Sequence, residues 1–463
     1  MVSKEIDLLN GNLLKKIIMF AIPVMLSGIL QLLFNACDLI VVGKFSGDDS
    51  LAAVGSTGAL TSLIVNLFIG FSVGANVAVA RSIGRKDKER AHDVVHTSIL
   101  FSFIVGLFLT IFGVLTAKLW LIKMDTNIEV LDKATTYLRI YFAGMIFNMI
   151  YNFGASIVRA TGETKRPLYF LIIAGVTNVV LNLIFVIVFN MDVAGVALAT
   201  IISQMISAIL IIVYLIKLEG PVHFDIKQLK IDKSSLNEII LIGLPAGIQS
   251  SLFAVSNVII QTAVNSFGST AVVAGNSASN NIGGFIYTSM NAFYQACITF
   301  TSQNLGARKV KNCKKVLAYC LLCVTITGMV VGGVAVLFGR PLLNLYANGN
   351  EAIEYGLIRL KIVGLSYFLC GLADVIVGGL RGLGYSIIPM ISSIVGICGI
   401  RLAWIYTIFE ANHTLAVLCY SYPISWAVTA VVHLICYIVV YKKTFIKFMS
   451  PIKKISRLEV EVC

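Results

Sequence analysis

The chain has 463 residues, of which 58% are hydrophobic and only 13% charged, with a mean hydropathy of +0.89. A soluble domain is usually about a quarter charged, and no ordinary core absorbs this much apolar surface, so the composition excludes a water-soluble globular protein. The net charge of +13 would need a basic face on a soluble domain to serve nucleic-acid binding, and none exists, so no nucleic-acid partner is expected. The excess reads instead as loops meeting anionic lipid heads.

A spanning helix needs roughly 20 apolar residues. Taken in chain order, such stretches run over about 14–43, 51–80, 93–121, 134–158, 167–190, 193–216, 238–266, 271–302, 316–339, 353–380, 389–409 and 414–441. No strand alternation accompanies them, and helices are then the way to satisfy a backbone in lipid. The first stretch is too long for a signal peptide and lacks a small-residue cleavage site, so it is expected to stay in the mature protein. The expected fold is an all-α polytopic membrane protein.

The two halves repeat at a fixed offset of 222 residues. Pro23 matches Pro245, Asn35 matches Asn257, Phe45 matches Phe267, Gly84 matches Gly306, Arg159 matches Arg381, Gly162 matches Gly384 and Pro167 matches Pro389. Six spans per half send both halves into the membrane in the same direction, which predicts two six-helix bundles related by a pseudo-two-fold along the membrane normal. The expected organisation is a bundle over 1–216, a cytoplasmic linker over 217–237, a second bundle over 238–441 and a basic tail over 442–463. With both termini cytoplasmic, 27 of the 36 Lys and Arg residues lie on that side, as the positive-inside tendency requires of a cell-membrane protein.

Within the spans, Pro23 and Pro245 are expected to bend their helices and Pro423 to break the twelfth. The pairs Gly70/Gly74 and Gly328/Gly332 should let helices approach closely. Eight of the ten cysteines fall in spans, Cys313 in a cytoplasmic loop and Cys463 at the terminus. Cys320 and Cys323 spell CxxC in mid-helix without a nearby His, a packing feature rather than a metal site. No metal and no cofactor are expected.

Intramembrane polar residues carry the functional signal, because a charge at mid-bilayer costs at least about 2.5 kcal/mol. Gln31, Asn35 and Asp38 follow i, i+4, i+7 spacing on one face of span one. Asn148 and Asn152 in span four are four apart, as are Asn178 and Asn182 in span five, and span six offers Thr200, Ser203, Gln204 and Ser207. Asparagines alone serve as interhelical glue as readily as a site. Asp38 needs a cation, a proton or a partner, and no Lys or Arg lies near its depth in the first six spans. In the second half Ile260 replaces it. The deep charges there are Asp374 and Arg401, the latter read as the sole well-buried base, either paired with each other or facing substrate; Phe34, Tyr151, Tyr287, Tyr294 and Tyr367 could stack on a flat or cationic ligand.

The segments FAIPVMLSGILQLLFNACDLIVVGKFSG, ARSIGRKDKERA, SIVRATGETKRPL with its copy GGLRGLGYSIIP, NVVLN and VAGVALATIISQ together resemble the multidrug and toxic compound extrusion (MATE) family, over about residues 12–441. The resemblance implies a twelve-span efflux antiporter of organic, often cationic, amphiphilic small molecules, acting as a monomer in the bilayer, with proton or sodium as coupling ion and no enzymatic activity. In the DinF-like bacterial branch it places the ion site on Asp38, Asn178, Asn182 and Thr200; the other intramembrane polar groups, Gln31, Asn35, Asn148, Asn152 and Asp374, read from their placement as substrate-binding. Asn182 departs from that branch, which commonly carries a second aspartate there, and this tilts the expectation towards protons. A flippase for a lipid-linked saccharide is the alternative, though only Arg401 is deep. A membrane enzyme or receptor is a third reading, against which His433 stands as the one clear intramembrane histidine.

Overall fold

The computed structural model describes residues 6–347 and 349–460, with side chains described through Phe448. Cys463 lies outside the described residues. The chain forms α1 (Leu13–Phe45), α2 (Asp48–Arg85), α3 (Lys88–Lys123), α4 (Ile128–Ala143 and Met145–Ala160), α5 (Lys165–Val188), α6 (Asp192–Lys217), α7 (Lys233–Asn265), α8 (Thr270–Gly306), α9 (Val310–Leu337), α10 (Asn350–Gly382), α11 (Ile387–Phe409) and α12 (Leu415–Val460). Ten are apolar and long enough to cross a bilayer singly, and α4 crosses as a pair bent by 47°. The twelfth, α8, has the length but holds buried Asn276, Ser279, Ser289, Thr299 and Asn304. This is the twelve-helix, two-bundle architecture expected from the repeat.

The termini of the helices follow from local chemistry. Asp87 caps α3 by accepting from the Arg90 amide at 3.0 Å, and Ser269 caps α8 by accepting from the Val272 amide at 3.4 Å. Gly162 and Gly384, repeat-related, end α4 and α10 with φ of 96° and 95°, a conformation that glycine enters freely. Pro23 and Pro245 lie inside continuous helices. Pro423, expected to break α12, does not: the helix runs through it without interruption, as membrane helices tolerate.

The chain divides into two compact units. The first holds Ile22–Val79 and Asp87–Ala254, the second Ile6–Ala21, Ala80–Lys86 and Val255–Cys463, so α1, α2 and α7 each contribute to both. The first unit is packed around Leu109, Leu138, Phe142, Met145 and Met149, all at most 1% exposed. In it α2 meets α7 backbone to backbone: a Cβ on Gly70 would overlap Gly247, one on Gly74 the Ile239 carbonyl and one on Gly243 the Phe71 backbone. The segment before α7 is tied down on α3. Arg90 donates to Asp232 at 2.8 Å and to Glu238 at 3.2 Å, Lys230 pairs with Asp93 at 2.8 Å, and the His96 ring accepts from the Asp225 amide at 3.0 Å. Bonds from the Ser235 hydroxyl and amide, followed by the Arg90 charge, hold the Asp232 carboxyl below the usual carboxylate range.

The second unit repeats these devices. Gly328 and Gly332 of α9 lie against Phe368 and the Gly364 carbonyl of α10. Where α2 ends beside α8, the repeat-related pair acts reciprocally: a Cβ on Gly84 would overlap the Gln303 carbonyl, and one on Gly306 the carbonyl of Arg81, the repeat partner of Gln303. Phe20 packs edge-on against Phe300 with centroids 5.6 Å apart. Cys313 sits in α9, fully buried, and not in a loop, because α9 starts at Val310, ahead of the apolar run that begins near 316. Cys320 and Cys323 are buried free thiols.

The α2–α7 crossing leaves no room for side chains. Gly70→Val should lower the thermal stability of the purified protein by about 1–3 kcal/mol, the usual overpacking range, while Gly55→Ala, whose Cβ meets nothing within 4 Å, should leave it unchanged; matching melting curves for all three proteins would show that the crossing tolerates separation.

Candidate functional site

The polar stripe of α1 meets α5 through a ring seated on a glycine. The Phe34 ring covers Gly175, where a Cβ would overlap it. Four residues on from Phe34 is Asp38, and three and seven on from Gly175 are Asn178 and Asn182, so the seat brings the carboxylate opposite the two amides. Asn182 Nδ2 donates to Asp38 Oδ1 at 2.5 Å and lies 3.3 Å from Asn178 Oδ1, and Asn178 Nδ2 lies 3.5 Å from Thr200 Oγ1 of α6. The Thr200 hydroxyl is also in reach of the Asp38 carboxylate. Asn182 is 0% and Asn178 5% exposed, and Asn182 Oδ1 is buried without a hydrogen-bond partner. Two residues after Asn182, α5 continues as a π turn over Ile184–Val188, a departure that is rare in helices and frequent at functional sites.

No Lys or Arg forms an ion pair with Asp38 among the described residues. Its surroundings are a carboxylate, two amides and a hydroxyl from three helices, an oxygen-rich donor set that suits a proton or a hard cation. Tyr137 of α4 senses the Asp38 charge and stacks on Tyr141 with centroids 6.1 Å apart. Sequence reasoning missed both; they continue the Asn148/Asn152 stripe towards the N-terminus past the α4 bend, and extending that stripe by three turns would have found them.

The other expected residues are placed less closely. Asn152 Nδ2 donates to the Asn148 carbonyl at 2.9 Å and side-chain oxygen at 3.0 Å, a pair within α4. Gln31 and Asn35 are exposed on α1. Ser203 and Ser207 return their hydroxyls to the Thr200 and Gln204 carbonyls of their own helix. Tyr151 donates to the Pro167 carbonyl at 3.2 Å.

In the second unit Asp374 lies beside Tyr287, with Arg381 as its nearest cationic influence; Arg381 in turn donates to the Tyr294 hydroxyl. Asp374 and Arg401 do not form an ion pair among the described residues. Arg401 instead lies over Tyr422 at 4.3 Å and Trp426 at 5.7 Å and donates to Ser425 at 3.2 Å. Nor is it the sole buried base: Arg359 and Arg381 are 2% and 4% exposed. Arg359 lies 5.5 Å from the same Tyr422 ring and donates to Asn280 at 3.0 Å. The aromatic face takes over part of the role of a counter-charge, which is why these arginines are buried without carboxylates. Tyr367 packs on Trp426 at 5.2 Å. Both arginines border π turns, at Leu360–Gly364, Ile394–Gly399 and Ile405–Phe409. His433 is a structural joint between Ser393 and the Ala373 carbonyl.

Twelve long helices, most of them apolar enough to span a bilayer, in a duplicated frame with a carboxylate inside the first half held only by neutral donors, define a polytopic membrane transporter. The chain belongs to the MatE family, whose model matches residues 23–184 and again 245–407, two copies that begin 222 residues apart. It is 29% identical over 434 residues to the probable multidrug resistance protein YoeA of Bacillus subtilis, covering 92% of this chain and 93% of that one. It is 25% identical over 397 residues to the probable multidrug resistance protein NorM of Thermotoga maritima, covering 84% of each. Its fold superposes with a TM-score of 0.90 on the outward-facing structure of a multidrug resistance MATE family transporter of the MOP superfamily, at 23% identity over 96% of this chain and 99% of that one.

The seat of Phe34 on Gly175 controls the approach of Asp38 to Asn182. Gly175→Ala should push α1 away and lower thermal stability by about 1–3 kcal/mol. A disulfide between thiols introduced by Asp38→Cys and Asn182→Cys should then form more slowly in the Gly175→Ala background than with Gly175 intact; equal crosslinking rates would show that the ring reseats without moving α1.

Proposed function

We propose that this chain is a secondary active antiporter that exports organic, often cationic, amphiphilic compounds in exchange for protons or sodium, with both termini in the cytoplasm and with Asp38 as the coupling site. The observation that carries the reading is the Asp38–Asn182–Asn178–Thr200 chain of hydrogen bonds with no cationic residue in it. A permanent charge in the membrane with no counter-charge is costly, and one that is relieved whenever a proton or a cation arrives gives the protein two states of different energy, which is what coupling needs. The names of the relatives favour drug export.

Asn182 gives the site a specific way to handle a proton. Its amide carries two donors on one end and an acceptor on the other. With Asp38 ionised, Nδ2 donates to the carboxylate, as the structure has it. With Asp38 protonated, half a turn of the amide would present Oδ1, the atom now lacking a partner, to accept the new O–H. An aspartate at position 182 could not serve both states in this way, so the asparagine favours protons over sodium.

Export in cells, measured with and without sodium and with and without a proton gradient, tests the reading. Asp38→Asn should abolish uphill export while leaving expression and insertion intact, because it removes an intramembrane charge and no salt bridge; full drug resistance from that variant at normal abundance would sink the assignment. Asn182→Asp should place a second carboxylate beside the first, and two carboxylates sharing a site recruit a cation between them. That variant should then gain sodium-dependent thermal stabilisation, and sodium titrations that superimpose on those of the unmodified protein would remove Asn182 from the ion site.

A further inference from the structure

A cleft of about 1060 Å³ in the second unit opens where α9 begins, and its lining includes Arg308, Lys309, Lys311 and Lys315 together with Tyr319 and Phe445. Its edge is the segment before α1. Leu8, 1% exposed, anchors that segment, and the buried Asn304 amide donates to its carbonyl at 3.0 Å. Lys309 reaches across to Asn10 Oδ1 at 2.6 Å, and Asn312 donates to Asn304 Oδ1 at 3.0 Å. Gly11, at a φ of 75°, turns the chain into α1. The cleft is therefore a built feature with a fixed rim.

The repeat supplies the comparison that gives it meaning. The corresponding corner of the first unit has the same backbone, down to Lys86 and Arg308 at the start of each helix, both with a φ of 58°. There the cations are answered from within: Arg90 by Asp232 and Glu238, and Lys230 by Asp93. At the 222-residue offset each acid of that corner is replaced. Asp87 becomes Lys309, Glu89 becomes Lys311, Asp93 becomes Lys315, Asp232 becomes Asn10 and Glu238 becomes Lys16. Among the described residues of that segment the one acid, Asp7, lies 3.7 Å from Lys16. Arg308, Lys311 and Lys315 form no ion pair among the described residues.

We infer that this cleft binds the phosphate headgroup of an anionic lipid from the adjoining leaflet, the external anion standing where the first unit has its own carboxylates. The basic wall faces phosphate, the asparagine amides supply neutral donors, and Leu9, Leu13, Tyr319, Phe445 and Phe448 offer an apolar wall of the kind that accompanies an acyl chain and would be wasted on a free ion. Basic pockets between helices at a membrane face hold such headgroups elsewhere.

The test titrates the full-length protein in neutral detergent with phosphatidylglycerol or with phosphatidylcholine of the same chains, reading bound lipid by native mass spectrometry. Phosphatidylglycerol should bind preferentially. Lys311→Gln and Lys315→Gln should each weaken it about fivefold, the worth of one basic residue at a lipid surface, and Lys311→Glu with Lys315→Asp, which restores the first unit's acids, should abolish the preference. Lys314→Gln, an exposed neighbour that does not line the cleft, should have no effect. Melting curves without lipid identify any variant that misfolds, and the neutral single variants then carry the comparison. Equal affinity for the two lipids, an equal loss from Lys314→Gln, or saturation by inorganic phosphate alone with no lipid preference would each overturn the proposal.

Discussion

A carboxylate inside a bilayer has to be met by donors that the same protein provides, and for Asp38 those donors sit 144 residues away on α5. Much of the first unit can be understood from that meeting. α1 must lie flush against α5, which needs a glycine under Phe34. Thr200 must join from α6, which packs against α5. The site therefore costs the fold three constraints on helix placement, and these are met by small residues and amides and by no salt bridge. An ion pair would have held the helices more firmly, but it would also have neutralised Asp38 permanently and left nothing for an ion to do.

The duplication shows what is frame and what is chemistry. Gly84 with Gly306 and Gly106 with Gly328 at helix crossings, the αL residues after α2 and α8 and the glycine ends of α4 and α10 recur in both halves, whereas Gly70 and Gly74 match Ala292 and Ala296. Arg159 and Arg381 recur too, but most of the deep charges do not. The first half has an acid among amides, while the second has Arg359 and Arg401 both against the Tyr422 ring and Asp374 beside Tyr287.

The frame is legible in the sequence because it is written in long apolar runs and in residues whose backbone behaviour is unusual. Twelve spans, the repeat, the close approach at Gly70/Gly74 and the convergence of Asp38, Asn178, Asn182 and Thr200 can all be reached that way, the last with help from the family resemblance. What escapes does so for specific physical reasons. Arg359 lies near the start of a span and two residues from Lys361, so the pair reads as an interface; yet two residues turn a helix by about 200°, which puts Lys361 outside and Arg359 inside. Arg401 reads as a partner for Asp374 because cation–π partners carry no charge for pattern reading to detect. Pro423 reads as a break because a proline removes one backbone donor, yet that single loss leaves α12 continuous.

The π turns have a consequence for how this chain came to differ between its halves. A π turn takes in one residue more than an α turn without interrupting the helix. Among the described residues the first half has one, at Ile184–Val188, and the second has three. The two halves nonetheless stay in step through α5 and α11, from Pro167 and Pro389 near their starts to Asn190 and Asn412 just past their ends, all at the 222-residue offset. In a regular α-helix each residue is aimed about 100° from the last, so the spacing fixes the buried face. Two π turns in α11 against one in α5 change that aim while the helix ends stay in place, and Arg401 lies between the two. Copies that keep one frame thus present different side chains to their interiors, with no need to rebuild the bundle.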